Sequence, residues 1–273
     1  MDILIDIILK AGRSAVELSL FILLPVMVVM LSLMRLLEAR GALDWLVARV
    51  APALRPFGLT GLGVFAALQI NFVSFAAPLA TLTMMEQRGT SNRHLAATLA
   101  MVLAMAQANA SLPMLTMGLD LAPTLIFSLI GGLTAATATY YFFGRQLSVE
   151  EAILDESVRH PIADDAKGVL DVINRAGAEA FKIAVGAIPM LVLSLVAVTA
   201  LKHFGVIALI TKALTPILAL AGIDPILILP SLTKYLAGGT AMMGVMDEMR
   251  RAGQVSAQLL NQSAGFLISP FDL

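Results

Sequence analysis

The chain has no cysteine, which excludes disulfides, thiolate catalysis, iron–sulfur clusters and cysteine zinc sites. Charge is scarce as well, at 14% of residues against about 25% in a soluble globular protein. With a net charge of −1 and no basic block, nothing points to nucleic acid. His94, His160 and His203 each lack a neighbour at metal-ligand spacing, so no metal site is expected. Ser, His and Asp are not grouped, and no His-Glu-x-x-His or Walker-type loop occurs, so no catalytic residue is assigned and the chain is not expected to be an enzyme. The N-terminal stretch carries Asp2 and Asp6 and lacks the basic start, apolar middle and small-residue cleavage site of a signal peptide, which leaves insertion to the first span.

Apolar residues make up 59% of the chain, with a mean hydropathy of +0.88. A soluble core cannot hide that much, because a protein of this size keeps a large share of its residues in contact with water. Several apolar stretches reach the roughly 20 residues that cross about 30 Å of hydrocarbon. The expected class is an all-α polytopic protein of the cell (inner) membrane, with the lipid bilayer as solvent. Spans are expected at 15–37, 59–87, 94–117 and 123–143, with an amphipathic interfacial stretch at 42–57 that holds Trp45, Arg49 and Arg55. Residues 145–175 are acidic, with Glu150, Glu151, Asp155, Glu156, Asp164 and Asp165, and read as a solvated connector. The pattern restarts at 181–201, followed by an interfacial stretch at 203–220, an interrupted apolar stretch at 225–249 and a last span at 255–273.

A shift of 164 residues sets Pro25 on Pro189, Gly41 on Gly205, Pro52 on Pro216, Gly58 on Gly222 and Gly89 on Gly253. Glycine and proline fix special backbone geometry, so these coincidences weigh more than matched leucines. The division expected is a first repeat with its connecting helix (1–144), the connector (145–175) and a second repeat (176–273), in which nothing matches 123–143. Duplication with interrupted helices at matching places is the pattern of a secondary transporter, whose broken helices offer free backbone groups near the midplane. A structural bundle kinked by its prolines is the alternative.

The stretch 59–87 either crosses once or enters as a hairpin and returns. A hairpin inverts the two halves; a single span makes them parallel. Counting Lys and Arg on the two sides does not decide, since either choice puts 11 on one side and 6 on the other, with the N-terminus outside for a hairpin and inside for a span. Gly238, Gly239 and Thr240 make a poor helix centre and a good tip, which favours the hairpin.

The run Phe72-Val73-Ser74-Phe75-Ala76-Ala77-Pro78-Leu79, followed by a helix with Gln107 and Asn109, resembles the nucleoside recognition (Gate) domain. The run from Pro230 through Lys234 and Tyr235 to Ala241 is similar to spore maturation protein A/B-type membrane proteins. The domain also occurs in concentrative nucleoside transporters and ferrous iron transport protein B. The resemblance implies that hairpin tips and neighbouring unwound helices hold the solute and a coupling cation. By position it implicates Gln69, Asn71 and Ser74 at the first tip and Thr233, Gly238, Gly239 and Thr240 at the second. Ala76 stands where the nucleoside transporters carry an acidic residue, so a ribose-binding carboxylate is not carried over.

Gln107, Asn109 and Ser111 precede Pro113. If the helix unwinds there, all three turn to one cavity, and their amides suit a neutral polar solute; the alternative is interhelical glue. Asn261, Gln262 and Ser263 form a polar run that cannot all face one neighbour. Lys234 sits inside an apolar element, where a lone cation is costly. It meets an anionic group, takes the place of a sodium ion, or snorkels to the interface. The 15 methionines are ordinary apolar filler.

The sequence thus reads as a permease for a small polar, nucleoside-like solute bound between two hairpin tips. It has no cofactor, a sodium ion or proton as possible coupling ion, and an expected homo-oligomeric state. The rival readings are a membrane component that organises a partner complex and, with less support, a metal-ion channel.

Overall fold

In the computed structural model the described residues are 2–74, 77–150 and 168–271, and among them there is no strand. The first helix runs from α1 (Asp2–Val16) through a π-helical stretch (Glu17–Leu23) into α2 (Leu24–Ala39). The amphipathic start and the span expected at 15–37 are therefore one apolar rod. After Gly41, which takes φ 66°, α3 (Ala42–Leu54) turns off. It stands bent by 104° from α4 (Gly61–Phe72) across Gly58. The chain continues with α5 (Ala77–Gln87), α6 (Asn92–Ala104), α7 (Ala108–Met114) and α8 (Leu121–Ala138). The second part holds α9 (Val169–His203), α10 (Val206–Leu220), α11 (Ile228–Arg251) and α12 (Ala257–Leu267). Among the described residues five stretches are long and apolar enough to cross a membrane, and the architecture is that of an all-α, multi-pass membrane protein.

The acidic connector falls mostly at 151–167, outside the described residues. Residues 169–175, expected within it, are the first turns of α9, stabilised by an Asp171–Arg175 ion pair at 3.0 Å.

Both interrupted stretches fold back on themselves. Gln69 accepts a hydrogen bond from Thr81 Oγ1 at 2.6 Å, and Phe65 and Met85 share one core cluster, so α4 and α5 run antiparallel about a tip near Ser74. The segments flanking this pair meet just past α8: Tyr141 Oη donates to Pro56 O, before α4, and Arg93 Nε, at the start of α6, donates to Tyr140 O. In α11 the break is Gly238, at φ 80° and ψ 169°, a region that essentially only glycine adopts. Leu229 and Met249 line one cavity of about 110 Å3, whereas a straight helix would hold them about 30 Å apart. Thus α11 bends at Gly238 so that its two limbs reach one cavity.

The rod of α1 and α2 packs antiparallel along α9. Lys10 shares a cavity with Lys202, Ser19 Oγ donates to Ala184 O, and Arg35 meets Glu179 at 3.1 Å. The glycines matched in the sequence adopt matched backbones: φ 66° and 73° at Gly41 and Gly205, 80° and 67° at Gly58 and Gly222, 73° and 69° at Gly89 and Gly253. The residues two past Gly58 and Gly222, Thr60 and Asp224, are both helix N-caps whose side chains accept a backbone N–H.

Candidate functional site

The residues singled out in the sequence fall into several groups rather than one. Gln69 and Ser74 line a cavity of about 260 Å3 between α2, the α4–α5 pair and α9. Thr81 on α5 joins them there, with the charged cluster Arg35, Glu38 and Glu179 at its edge. Arg35 pairs with Glu38 at 3.0 Å and with Glu179 at 3.1 Å, tying α2 to α9. The 110 Å3 cavity, between α1, α9 and the two limbs of α11, holds Lys10, Lys202 and Glu248. Lys10 and Glu248 approach to 4.0 Å.

These two cavities share a lining pattern. Arg35, Glu38, Phe65, Thr81 and Met84 line the first, and the residues 164 positions on, Thr199, Lys202, Leu229, Val245 and Glu248, line the second. Chemistry is not matched as position is: Glu38 lines one cavity where Lys202 lines the other.

Asn71, 8% exposed, serves the junction of α6 and α7. Its Nδ2 donates to Ala67 O at 3.0 Å and its Oδ1 accepts from Ser128 Oγ at 3.0 Å. Ser128 Oγ in turn accepts from Ala106 N at 2.8 Å. The unwinding expected before Pro113 lies upstream, at 105–107, and Pro113 sits inside α7. The reason is visible in the replacement partners: Ala106 N finds Ser128, and Gln107 N finds Ile268 O at 3.0 Å. With these N–H groups satisfied elsewhere, the helix can break there at little cost. The Gln107 side chain donates to Ser269 O at 3.4 Å.

Asn109 and Ser111 lie in α7 among α2, the π-helical stretch, α4, α8 and α11. Asn109 Oδ1 and Ser111 Oγ are buried and have no hydrogen-bond partner among the described residues. Such orphaned oxygens are rare and costly, and each calls for an explanation such as a bound molecule or water.

Lys234 is fully buried. Its Nζ donates to Phe266 O at 2.6 Å and to Ser269 Oγ at 2.8 Å, at the C-terminal end of α12, where a cation complements the helix dipole. The ammonium also lies 5.1 Å from the Phe266 ring centroid. It points inward and does not snorkel.

Thr233 and Ser263 return their hydroxyls to their own helices, at Leu229 O and Leu259 O, both at 2.8 Å. Gly238 and buried Gly239 form the second tip, with Thr240 half-buried beside them. Asn261 holds the loop before α8: its Oδ1 accepts from Asp120 N at 2.7 Å, and its Nδ2 donates to Gly118 O and Ala257 O, both at 2.9 Å. Gln262 is exposed in a groove of about 670 Å3 between α8 and α12.

Sequence reasoning missed Ser128, Thr81 and the Arg35 cluster. Ser128 was hidden in what read as a clean span, and Arg35 in what read as a helix end. The shift that aligned the glycines also aligns Glu38 with Lys202 and was the available signal.

No family model, curated protein or solved structure matches the chain.

Proposed function

We propose that the chain is a secondary transporter for a small polar solute, built from two inverted repeats that alternate access to a site near the bilayer midplane. The observation that carries this reading is the pair of cavities lined at matching positions, each bounded by a folded-back helix pair and by the α1–α2 and α9 scaffold. Leu20 and Ala184 are counterparts under the 164-residue shift, and Ser19, next to Leu20, bonds Ala184 across antiparallel helices. Counterparts that cross antiparallel are related by a two-fold axis perpendicular to the helices, hence in the membrane plane. One cavity then opens to each side, as alternating access requires. Kinship with the Gate family, and a nucleoside-like solute, belong to the same reading and rest on the runs of residues at the two tips.

With hairpins, positive-inside counting assigns a side. Arg40, Arg49, Arg55, Arg88, Arg93 and Arg145 gather on the face of the connector, which is then cytoplasmic and leaves the N-terminus outside. The solute contacts are Asn109 and Ser111, whose free oxygens lie where elements of both repeats meet α7. Gln107, Asn71 and Lys234 position the surrounding backbone through their own hydrogen bonds.

The partner-organising reading keeps one specific support: most polar groups at the tips are satisfied within the chain, as with Gln69–Thr81 and Asn71–Ser128. A thermal-shift screen of purified protein separates the two. The panel comprises nucleosides, nucleobases, amino acids and small organic acids, each with and without sodium. Transport predicts a saturable rise in melting temperature for one class, lost in Asn109→Ala. A flat response across the panel, with no uptake of its members into proteoliposomes, contradicts the reading.

A further inference from the structure

Two interrupted helices, one from each repeat, end against each other. α6 stops at Ala104 and α12 at Leu267, and under the 164-residue shift Leu267 answers to Leu103, so the two stops are counterparts. Gln107, just past the first stop, donates its backbone N–H to Ile268 O at 3.0 Å and its side-chain amide to Ser269 O at 3.4 Å, just past the second. The junction is buried, with Gln107 2% exposed and Ile268 closed off completely. The C-terminal end of a helix carries about half a negative charge on carbonyls left without partners in their own helix. Two such ends brought together away from water call for a cation, and half-helix C-terminal ends are where membrane transporters bind one.

Lys234 brings that charge to the junction from the first limb of α11. Its Nζ donates to Phe266 O and to Ser269 Oγ, at 2.6 and 2.8 Å, and the ring centroids of Phe266 and Tyr235 lie 5.1 and 5.8 Å from it. Oxygens that accept N–H bonds, with aromatic faces beside them, are the set that recognises an ammonium ion. The counterpart positions show that the fold itself does not demand this arrangement. Lys234 answers to Ile70, fully buried in an apolar cluster, Phe266 to Val102 and Ser269 to Met105. There the end of α6 closes on itself, with Met105 N donating to Met101 O at 3.1 Å and to Val102 O at 3.4 Å. At the end of α12 the equivalent carbonyl, Phe266 O, is given to the ammonium.

We propose that the end of α12 is a binding site for a small monovalent cation, built from Phe266 O, Ser269 Oγ and the two aromatic faces, and that the chain fills it with its own Lys234 ammonium. The assignment stands on the contacts around Nζ and not on transport, and its test reads ion binding alone. One consequence does rest on the transport reading: no sodium ion is needed at the junction of the two repeats.

Lys234→Ala deletes the three carbons beyond Cβ and the nitrogen, which together make a propylammonium ion. Thermal unfolding of the full chain in detergent is followed in propylammonium, sodium or choline chloride at one ionic strength, each shift being taken relative to wild type in the same salt. Lys234→Ala is expected to melt below wild type in choline, whose nitrogen has no N–H to give. Propylammonium is expected to restore at least half of the lost midpoint, saturably, and sodium a smaller part. Lys234→Met, which fills the space without the charge, is expected to fold, to melt below wild type and to gain nothing from propylammonium. The proposal is overturned if neither propylammonium nor sodium stabilises Lys234→Ala beyond choline. It is overturned as well if Lys234→Met melts with wild type, because the ammonium then only fills space. Rescue of Lys234→Ala that is undiminished by adding Ser269→Ala puts the ion elsewhere and also overturns it.

Discussion

Asn71 and Asn109 are shielded to the same degree, 8% exposed each, but their side-chain oxygens differ: that of Asn71 accepts from Ser128, while that of Asn109 has no partner among the described residues. Removing Asn71 leaves Ser128 and Ala67 O short of a bond, so Asn71→Ala is expected to cost about 1–2 kcal/mol of stability. Removing Asn109 deletes an unsatisfied acceptor and leaves no partner stranded. Asn109→Ala is expected to unfold at the same temperature as wild type or above it, while losing stabilisation by solute. Thermal unfolding of the two variants, with and without ligand, checks the contrast; a large loss of stability in Asn109→Ala would show that its amide is structural. At Lys234, truncation to alanine empties a buried volume and strands Phe266 O and Ser269 Oγ. Hydrogen bonds from a charged donor are worth about 1.5–3 kcal/mol each, so Lys234→Ala is expected to destabilise more than Ser269→Ala. Equal losses in the two would mean that the ammonium contributes little beyond its bond to that hydroxyl.

Among the elements, the two folded-back pairs decide the architecture, and both turn on local backbone. Gly238→Ala forces a side chain into φ 80°, ψ 169° and is expected to cost about 1–3 kcal/mol. Gly222→Ala, in the ordinary left-handed region at φ 67° with open space around it, is expected to cost less. Denaturation of the two variants checks the order, and a milder effect at Gly238 would mean that α11 does not reverse there. The tips were legible in the sequence because glycine, and polar residues in an apolar run, stand out against leucine. The sequence put a possible α6–α7 break only somewhere before Pro113, for a physical reason: a proline signals where a helix loses one of its own bonds, whereas the break at 105–107 is held by bonds that Ala106 N and Gln107 N give to Ser128 and Ile268, distant in sequence. Asn261 was equally opaque, since nothing local says that an amide is consumed by the loop at Gly118 and Asp120.

For the molecule as a whole, the shift that matched five glycines and prolines also matches two N-caps, two cavities and two folded-back pairs. Composition and spacing were enough to expect helices, spans and a duplicated plan. What pairs with what was not legible, because the contacts that orient the halves join residues far apart in sequence, such as Ser19 with Ala184 and Gln107 with Ile268. Those contacts make the central claim a statement about sides: counterpart positions lie near opposite faces of the membrane. Met84 and Glu248 are such counterparts, each at a cavity on the returning limb of its pair. The most direct measurement is labelling of Met84→Cys and Glu248→Cys, each alone in the cysteine-free chain, with a membrane-impermeant maleimide in right-side-out and inside-out vesicles. Inverted repeats predict that Met84→Cys reacts from the cytoplasmic side and Glu248→Cys from the outer side. Labelling of both from one and the same side would contradict the inverted arrangement and, with it, alternating access between the two cavities.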